Sequence, residues 1–327
     1  MKRISRFFST TSSSSSSTPI AYLNGKYLPL NQCSISVEDR GFLFADGLYE
    51  VTKAYTGKLF TENLHLARLF RGLTELRIGI DTLDRENLVQ EVRQVSAKLL
   101  EKNNLKNKDS TIYVQITRGS ASRAHAFPTI TVRPNLFLVA KPFIDPPNEW
   151  FEQGVAGLLT PDQRWLRCDI KSISLLPNIM ANQLAKENGA YEALLTRPRP
   201  IASFSDNVAL VEASHSNVFA VKKDVLITHP SNDNILSGIT RHVILDKAKE
   251  IGVKVVEDEI LLSDIKSGAI TEVFTTATTT EAMPIVKLYS RDEKTKDMYT
   301  LHIGNGKPGS ITQRIRSIWN KWVNEEL

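Results

Sequence analysis

The stretch KPFIDPPN, residues 141–148, carries Pro142, Pro146 and Pro147. Proline fixes φ and has no backbone N–H, so three so close together cannot sit in a central strand or a helix interior. Residues 141–148 are therefore expected to form a linker that divides the chain into a unit before it, 19–140, and a unit after it, 149–327. A chain of 327 residues with 41% hydrophobic content is long enough for each part to bury its own core.

The two parts differ in pattern. In the first, AYLNGKYLPL reads as a hairpin turning at Asn24-Gly25, because that dipeptide accepts positive φ. YEVTKAY, STIYVQITRG and NLFLVAKPF read as strands. Leu64, Ala67, Phe70, Leu73 and Leu76 recur at helical spacing, and NLVQEVRQVSAKLLEKNN repeats that period. In the second part GVAGLLTP, AYEALLT, SNVFAVKK, VLITHP, VKVVEDEI and EVFTTAT are short strand-like runs, interrupted by helical LLPNIMANQLAKENG and ITRHVILDKAKEIG. The class expected is α/β or α+β, with a smaller α/β N-terminal domain and a larger strand-rich C-terminal domain.

Residues 1–18, MKRISRFFSTTSSSSSST, are basic, serine-rich and free of acid, which is the composition of an organelle transit peptide. Mitochondrial targeting is the expectation, with plastid, or a plain disordered leader on a cytoplasmic protein, as alternatives. The formal charge of +5 falls to +2 without Lys2, Arg3 and Arg6, so it gives little support to a nucleic-acid partner. No apolar run approaches the roughly 20 residues that span a bilayer, and no membrane association is expected. Cys33 and Cys168 have no metal-ligand spacing, so neither a metal site nor a disulfide framework is indicated.

Lys171, in RWLRCDIKSISLL, follows a strand-like stretch and precedes a predicted helix. Burial lowers a lysine's pKa, and the neutral amine can attack an aldehyde to form a Schiff base. Taken alone, one lysine more readily reads as an exposed surface residue. Glu212, between apolar residues in VALVEASHSNVF, by itself reads as a strand end. SGITRHVILDKAKEIG offers the free amides of a helix start at Gly238, Ile239 and Thr240, which suit a dianion. Arg123 and His125 in RGSASRAHAFP are two apart and would face one side of an extended strand, placed to clamp a carboxylate.

Together RWLRCDIKSISLL, RGSASRAHAFP, DRGFLFADGLYEV and SGITR resemble, in order, the motifs of fold-type IV pyridoxal 5′-phosphate enzymes, closest to the D-amino-acid aminotransferases. The resemblance runs from about Tyr22 to the last helix. It implies a pseudo-barrel C-terminal domain and ping-pong transamination between D-amino acids and 2-oxo acids, of the D-alanine/2-oxoglutarate type. It makes Lys171 the lysine that holds the cofactor and shuttles a proton, and Glu212 the partner of the pyridine nitrogen. Arg68, Ile239, Thr240 and Thr278 are implied as phosphate ligands. Tyr49, Arg123 and His125 are implied as a carboxylate trap in which the R-x-H pair reaches the partner's site in a homodimer.

Several positions depart from the pattern: residues 197–207 enlarge a usually short hairpin, Val211 and Ala213 replace threonine and glycine, and His215 stands among expected serines. These changes bear on the preferred side chain. Within the same fold, an aminodeoxychorismate lyase and a branched-chain L-amino-acid aminotransferase are the alternatives, and the R-x-H pair speaks against both. An alternative of another class is a non-catalytic anion-binding protein, which would show no coloured adduct with pyridoxal phosphate.

Overall fold

The computed structural model describes residues 18–79, 84–199, 208–291, 295 and 297–327. The leader expected at 1–18 thus lies, apart from Thr18, outside the described residues, as does most of the 197–207 insertion.

The first sheet contains β1 (Ile20–Leu23), β2 (Lys26–Pro29), β3 (Gly47–Tyr55), β4 (Lys58–Leu59), β5 (Ser110–Thr117) and β6 (Asn135–Pro142), in the order β2-β1-β6-β5-β3-β4. Its helices are α1 (Arg40–Phe44), α2 (Glu62–Glu75) and α3 (Arg85–Lys102). The β1–β2 turn at Asn24-Gly25 has both residues at positive φ, +50° and +90°, as the hairpin reading requires. The core packs Leu66, Leu69 and Leu73 of α2, and Val92 and Leu99 of α3, against Ile112, Val114 and Leu138 of the sheet. On α2 the buried stripe is therefore rotated from the one expected: Leu64, Phe70 and Leu76 are half-buried and Ala67 is exposed. Apolar residues occupy two adjacent stripes of this helix, and spacing alone does not say which one meets the sheet.

The proline segment is shorter as a linker than its composition suggests. Lys141 and Pro142 continue β6, paired with Thr111 and Ser110, and Asn148 already opens α4 (Asn148–Gln153), with Pro147 as its N-cap. Proline is tolerated at a strand end and at the entry to a helix, where no N–H is needed.

Beyond it lie β7 (Val155–Pro161), β8 (Glu192–Pro198), β9 (Val208–Ala213), β10 (Asn217–Lys222), β11 (Val225–Thr228), β12 (Lys254–Glu257), β13 (Ile260–Leu261), β14 (Ile270–Ala277), β15 (Glu281–Arg291) and β16 (Met298–His302). They form one ten-stranded sheet, β12-β11-β10-β14-β15-β7-β8-β9-β13, with β16 added to β15. Its helices are α5 (Leu176–Glu187), α6 (Ile239–Lys247), α7 (Leu262–Lys266) and α8 (Ser310–Glu326). Glu272 fixes the start of α8 by accepting from the amides of Ile311 at 3.0 Å and Thr312 at 2.8 Å. No helix among the described residues is long and apolar enough to cross a membrane.

The segment 119–134 between β5 and β6 is a loop, not the extended strand expected around Arg123 and His125. It leaves the sheet at Gly119, whose φ is +96°, and a Cβ there would lie 2.1 Å from the Arg133 carbonyl oxygen. Gly119→Ala should therefore destabilise the protein by more than about 1 kcal/mol, read as a lower denaturant midpoint at unchanged m-value.

Candidate active site

The seam between the sheets is set by backbone pairing. The segment carrying Lys171 lies along β3: Tyr49 N–H donates to the Lys171 carbonyl at 3.1 Å, and Ile173 N–H to the Gly47 carbonyl at 3.1 Å. Residues 164–170 are turns rather than the strand expected there, anchored by Cys168 N–H on the Asp233 carbonyl at 2.8 Å. This places the Lys171 ammonium 4.3 Å from the centre of the Tyr49 ring, at the wall of a cavity of about 330 Å³. That volume is in the range of small-molecule sites.

Strand alternation sends Tyr49 to the cavity and Glu50 to the other face. There Glu50 takes a bidentate pair from Arg68, at 2.7 and 2.8 Å, and stands 2.8 Å from His65 Nδ1. Burial alone would raise the Glu50 carboxyl, but Arg68 and His65 hold it well below the usual carboxylate range. Arg68 is thereby fixed, and its third contact is the Ser237 carbonyl at 2.9 Å.

Glu212, on β9, is buried in the wall of the same cavity. It accepts from Arg164, from Asn217 Nδ2 at 3.0 Å and from Leu236 N–H at 3.0 Å. Burial pushes its carboxyl up to about 7, and the Arg164 guanidinium limits the rise. A carboxylate has about four lone-pair sites, so three donors leave it room for one more. A protonated ring nitrogen placed there would favour the ionised form again.

A smaller space of about 50 Å³ shares Lys171, Glu212, His215 and Leu236 with the first and extends past Arg68, Ile239, Thr240, Thr276 and Thr278. Helix α6 begins here without a side-chain cap, so its first amides lack intrahelical partners. The Thr276 hydroxyl in the same wall is buried and has no hydrogen-bond partner among the described residues. Uncapped amides, a fixed guanidinium and an unpartnered hydroxyl fit a phosphate. With the Lys171 amine and the Glu212 carboxylate, the donor set matches pyridoxal phosphate from end to end.

The structure thus brings together Tyr49, Arg68, Lys171, Glu212, Ile239, Thr240 and Thr278. Arg123 and His125 line neither space. Both lie on the Phe44 ring, Arg123 5.3 Å and His125 5.6 Å from its centre, and both are exposed. Their loop is pinned by Arg40, which donates to the Ala124 carbonyl at 2.7 Å and pairs with Asp46 at 2.9 Å. Arg118 joins the same Asp46 at 2.7 Å and stacks 3.8 Å over Phe127. Sequence reasoning missed Arg164, Asn217, Thr276 and Glu192. Arg164 was within reach, because it opens the motif that contains Lys171 and a buried glutamate needs a cation.

The family model for amino-transferase class IV matches residues 47–288. Proteins named D-alanine aminotransferase are similar across most of the chain. That of Staphylococcus haemolyticus is 35% identical over 302 residues, covering 92% of this chain and 97% of its own. That of Bacillus licheniformis is 36% identical over 299 residues, covering 90% and 93%. In fold, the chain is similar to the branched-chain amino acid aminotransferase of Escherichia coli, with a TM-score of 0.78, 22% identity and 94% and 96% coverage. It is also similar to the 4-amino-4-deoxychorismate lyase of Pseudomonas aeruginosa, with a TM-score of 0.69, 22% identity and 92% and 98% coverage. The chain belongs to the class IV aminotransferases, a family of pyridoxal phosphate enzymes.

Proposed function

We propose that this protein transfers amino groups between D-amino acids and 2-oxo acids, with Lys171 as the catalytic residue. The carrying observation is one amine, Lys171, held between a buried carboxylate at one end and an uncapped helix start with Arg68 at the other. Relatives at 35–37% identity over 92% of the chain that are named D-alanine aminotransferase support D-substrates. The lyase and branched-chain relatives, at 22% identity, support only the fold.

Bound pyridoxal phosphate supplies an aldehyde and an electron-accepting ring. Lys171 would hold that group through its amine and, once free, would act as the base that takes the substrate Cα proton. Glu212 would pair with the ring nitrogen and keep it protonated. Arg68, the Ile239 and Thr240 amides and Thr278 would hold the phosphate, and the Tyr49 ring lies beside the Lys171 amine.

A homodimer is part of this reading. Leu176, Ile179, Met180 and Leu184 form an exposed apolar stripe on α5, beside the cavity, of the kind that subunit contacts bury. Arg123 and His125, outside their own chain's cavity, would bind the substrate carboxylate in the partner's. Residues 1–18 are proposed to direct mitochondrial import on their composition alone.

Three outcomes are expected. Lys171→Ala and Arg123→Ala homodimers should each be nearly inactive, and mixing them with confirmed subunit exchange should restore part of the activity, because one site of each mixed dimer is intact. Glu212→Gln should slow the single-turnover rate more than it weakens substrate binding; an unchanged rate would remove its role. A reporter fused to residues 1–18 should enter mitochondria, and uniform cytosolic signal would reduce the segment to a leader.

A further inference from the structure

His215 replaces one of the serines expected in ASHSN and lines both spaces of the site. Its Nδ1 lies 2.9 Å from Glu192 of β8. The same carboxylate accepts from His215 N–H at 2.7 Å, Ser216 Oγ at 2.9 Å and Ser214 Oγ at 3.3 Å. Glu192 is fully buried, and His215 is the one basic side chain paired with it among the described residues. An ionised carboxylate taken out of water needs such a partner. Partial removal from water disfavours charge on the imidazole, but Glu192 outweighs it and raises the ring above its ordinary value, against weaker opposition from Lys186 and Lys171.

With Nδ1 engaged, Nε2 is the nitrogen left over, and it has no partner among the described residues. The ring is a wall rather than a core element, since 46% of its side chain is exposed. Asn182, on α5 in the same cavity, has a buried Oδ1 without a partner, and an amide can turn to offer its NH₂ instead. The other cations are committed: Arg164 to Asp162 and Glu212, and Lys171 to chemistry. An imidazole held in place by Glu192 and a spare amide therefore line a space that already has a separate phosphate cradle.

We propose that His215, backed by Glu192, is a specificity-determining residue that receives the side-chain carboxylate of a dicarboxylic amino acid or 2-oxo acid, with Asn182 as a second polar contact. This rests on the transamination reading above. The anion that meets His215 is then the substrate's side chain and not the cofactor's phosphate.

The test compares D-glutamate with D-alanine as donors to 2-oxobutyrate, using the holoenzyme. The ratio of their kcat/KM values should fall about tenfold or more in His215→Asn, chiefly through the KM for D-glutamate, and recover in His215→Arg. Glu192→Gln should lower the ratio by an intermediate amount. A ratio within twofold of wild type in active His215→Asn overturns the proposal. So does a loss of pyridoxal phosphate affinity at constant ratio, which would assign the ring to the phosphate. Independently of any variant, glutarate should inhibit the wild-type enzyme at lower concentration than butyrate, and equal inhibition overturns the proposal. A wild-type enzyme that uses neither donor fails differently, since it removes the transamination reading and this inference with it.

Discussion

Three carboxylates carried out of water organise this site: Glu50, Glu192 and Glu212 are all buried. Each would be costly alone, and each is matched by a cation and further donors. Glu50 takes Arg68 and His65, Glu212 takes Arg164 and Asn217, and Glu192 takes His215 with two serines. The partners are not interchangeable. Arg68 is held at the wall of the smaller space, Glu212 accepts three donors and keeps room for one more, and His215 keeps one ring nitrogen. The same pairing that makes burial tolerable fixes what each residue presents to a ligand.

The groups that these pairs hold come together because two sheets from different parts of the chain meet along β3, where Tyr49 N–H donates to the Lys171 carbonyl and Arg68 reaches the Ser237 carbonyl. The β3 backbone receives the Lys171 segment, while its far end carries Lys53 to Glu281 at 3.3 Å and Tyr55 to the same carboxylate at 3.0 Å. Trp319 Nε1 of α8 closes this contact by donating to the Tyr55 hydroxyl at 3.0 Å. The strand is therefore a ruler: Tyr49 toward Lys171, Glu50 toward Arg68, Lys53 and Tyr55 toward the second sheet. A shift of one residue in its register would exchange the two faces and remove both the lysine's neighbour and the arginine's anchor.

The loop bearing Arg123 and His125 shows a different economy. It is held by arginines that face inward, Arg40 and Arg118 on Asp46, while Arg123 and His125 remain exposed on Phe44. Neither residue lines the cavity of its own chain, and the apolar stripe of α5 beside that cavity is exposed.

Much of this was legible in the sequence. The Asn24-Gly25 turn, most strands and helices and the helix start at Ile239 follow from local propensity and period, because each is a property of a few neighbouring residues, whereas Lys171 and Glu212 stood out only through the family resemblance of the motifs around them. Other features were not. Whether Leu64 or Leu66 faces the core, where the proline segment stops being strand, and that Arg123 lies in a loop depend on what packs against them. Arg164 and Glu212 are 48 positions apart, and Glu192 and His215 are 23 apart. Sequence alone determined which chemical groups the chain carries. The tertiary structure decided which of them are buried and therefore must pair, because the cost of burying a charge exists only once distant segments have excluded water around it.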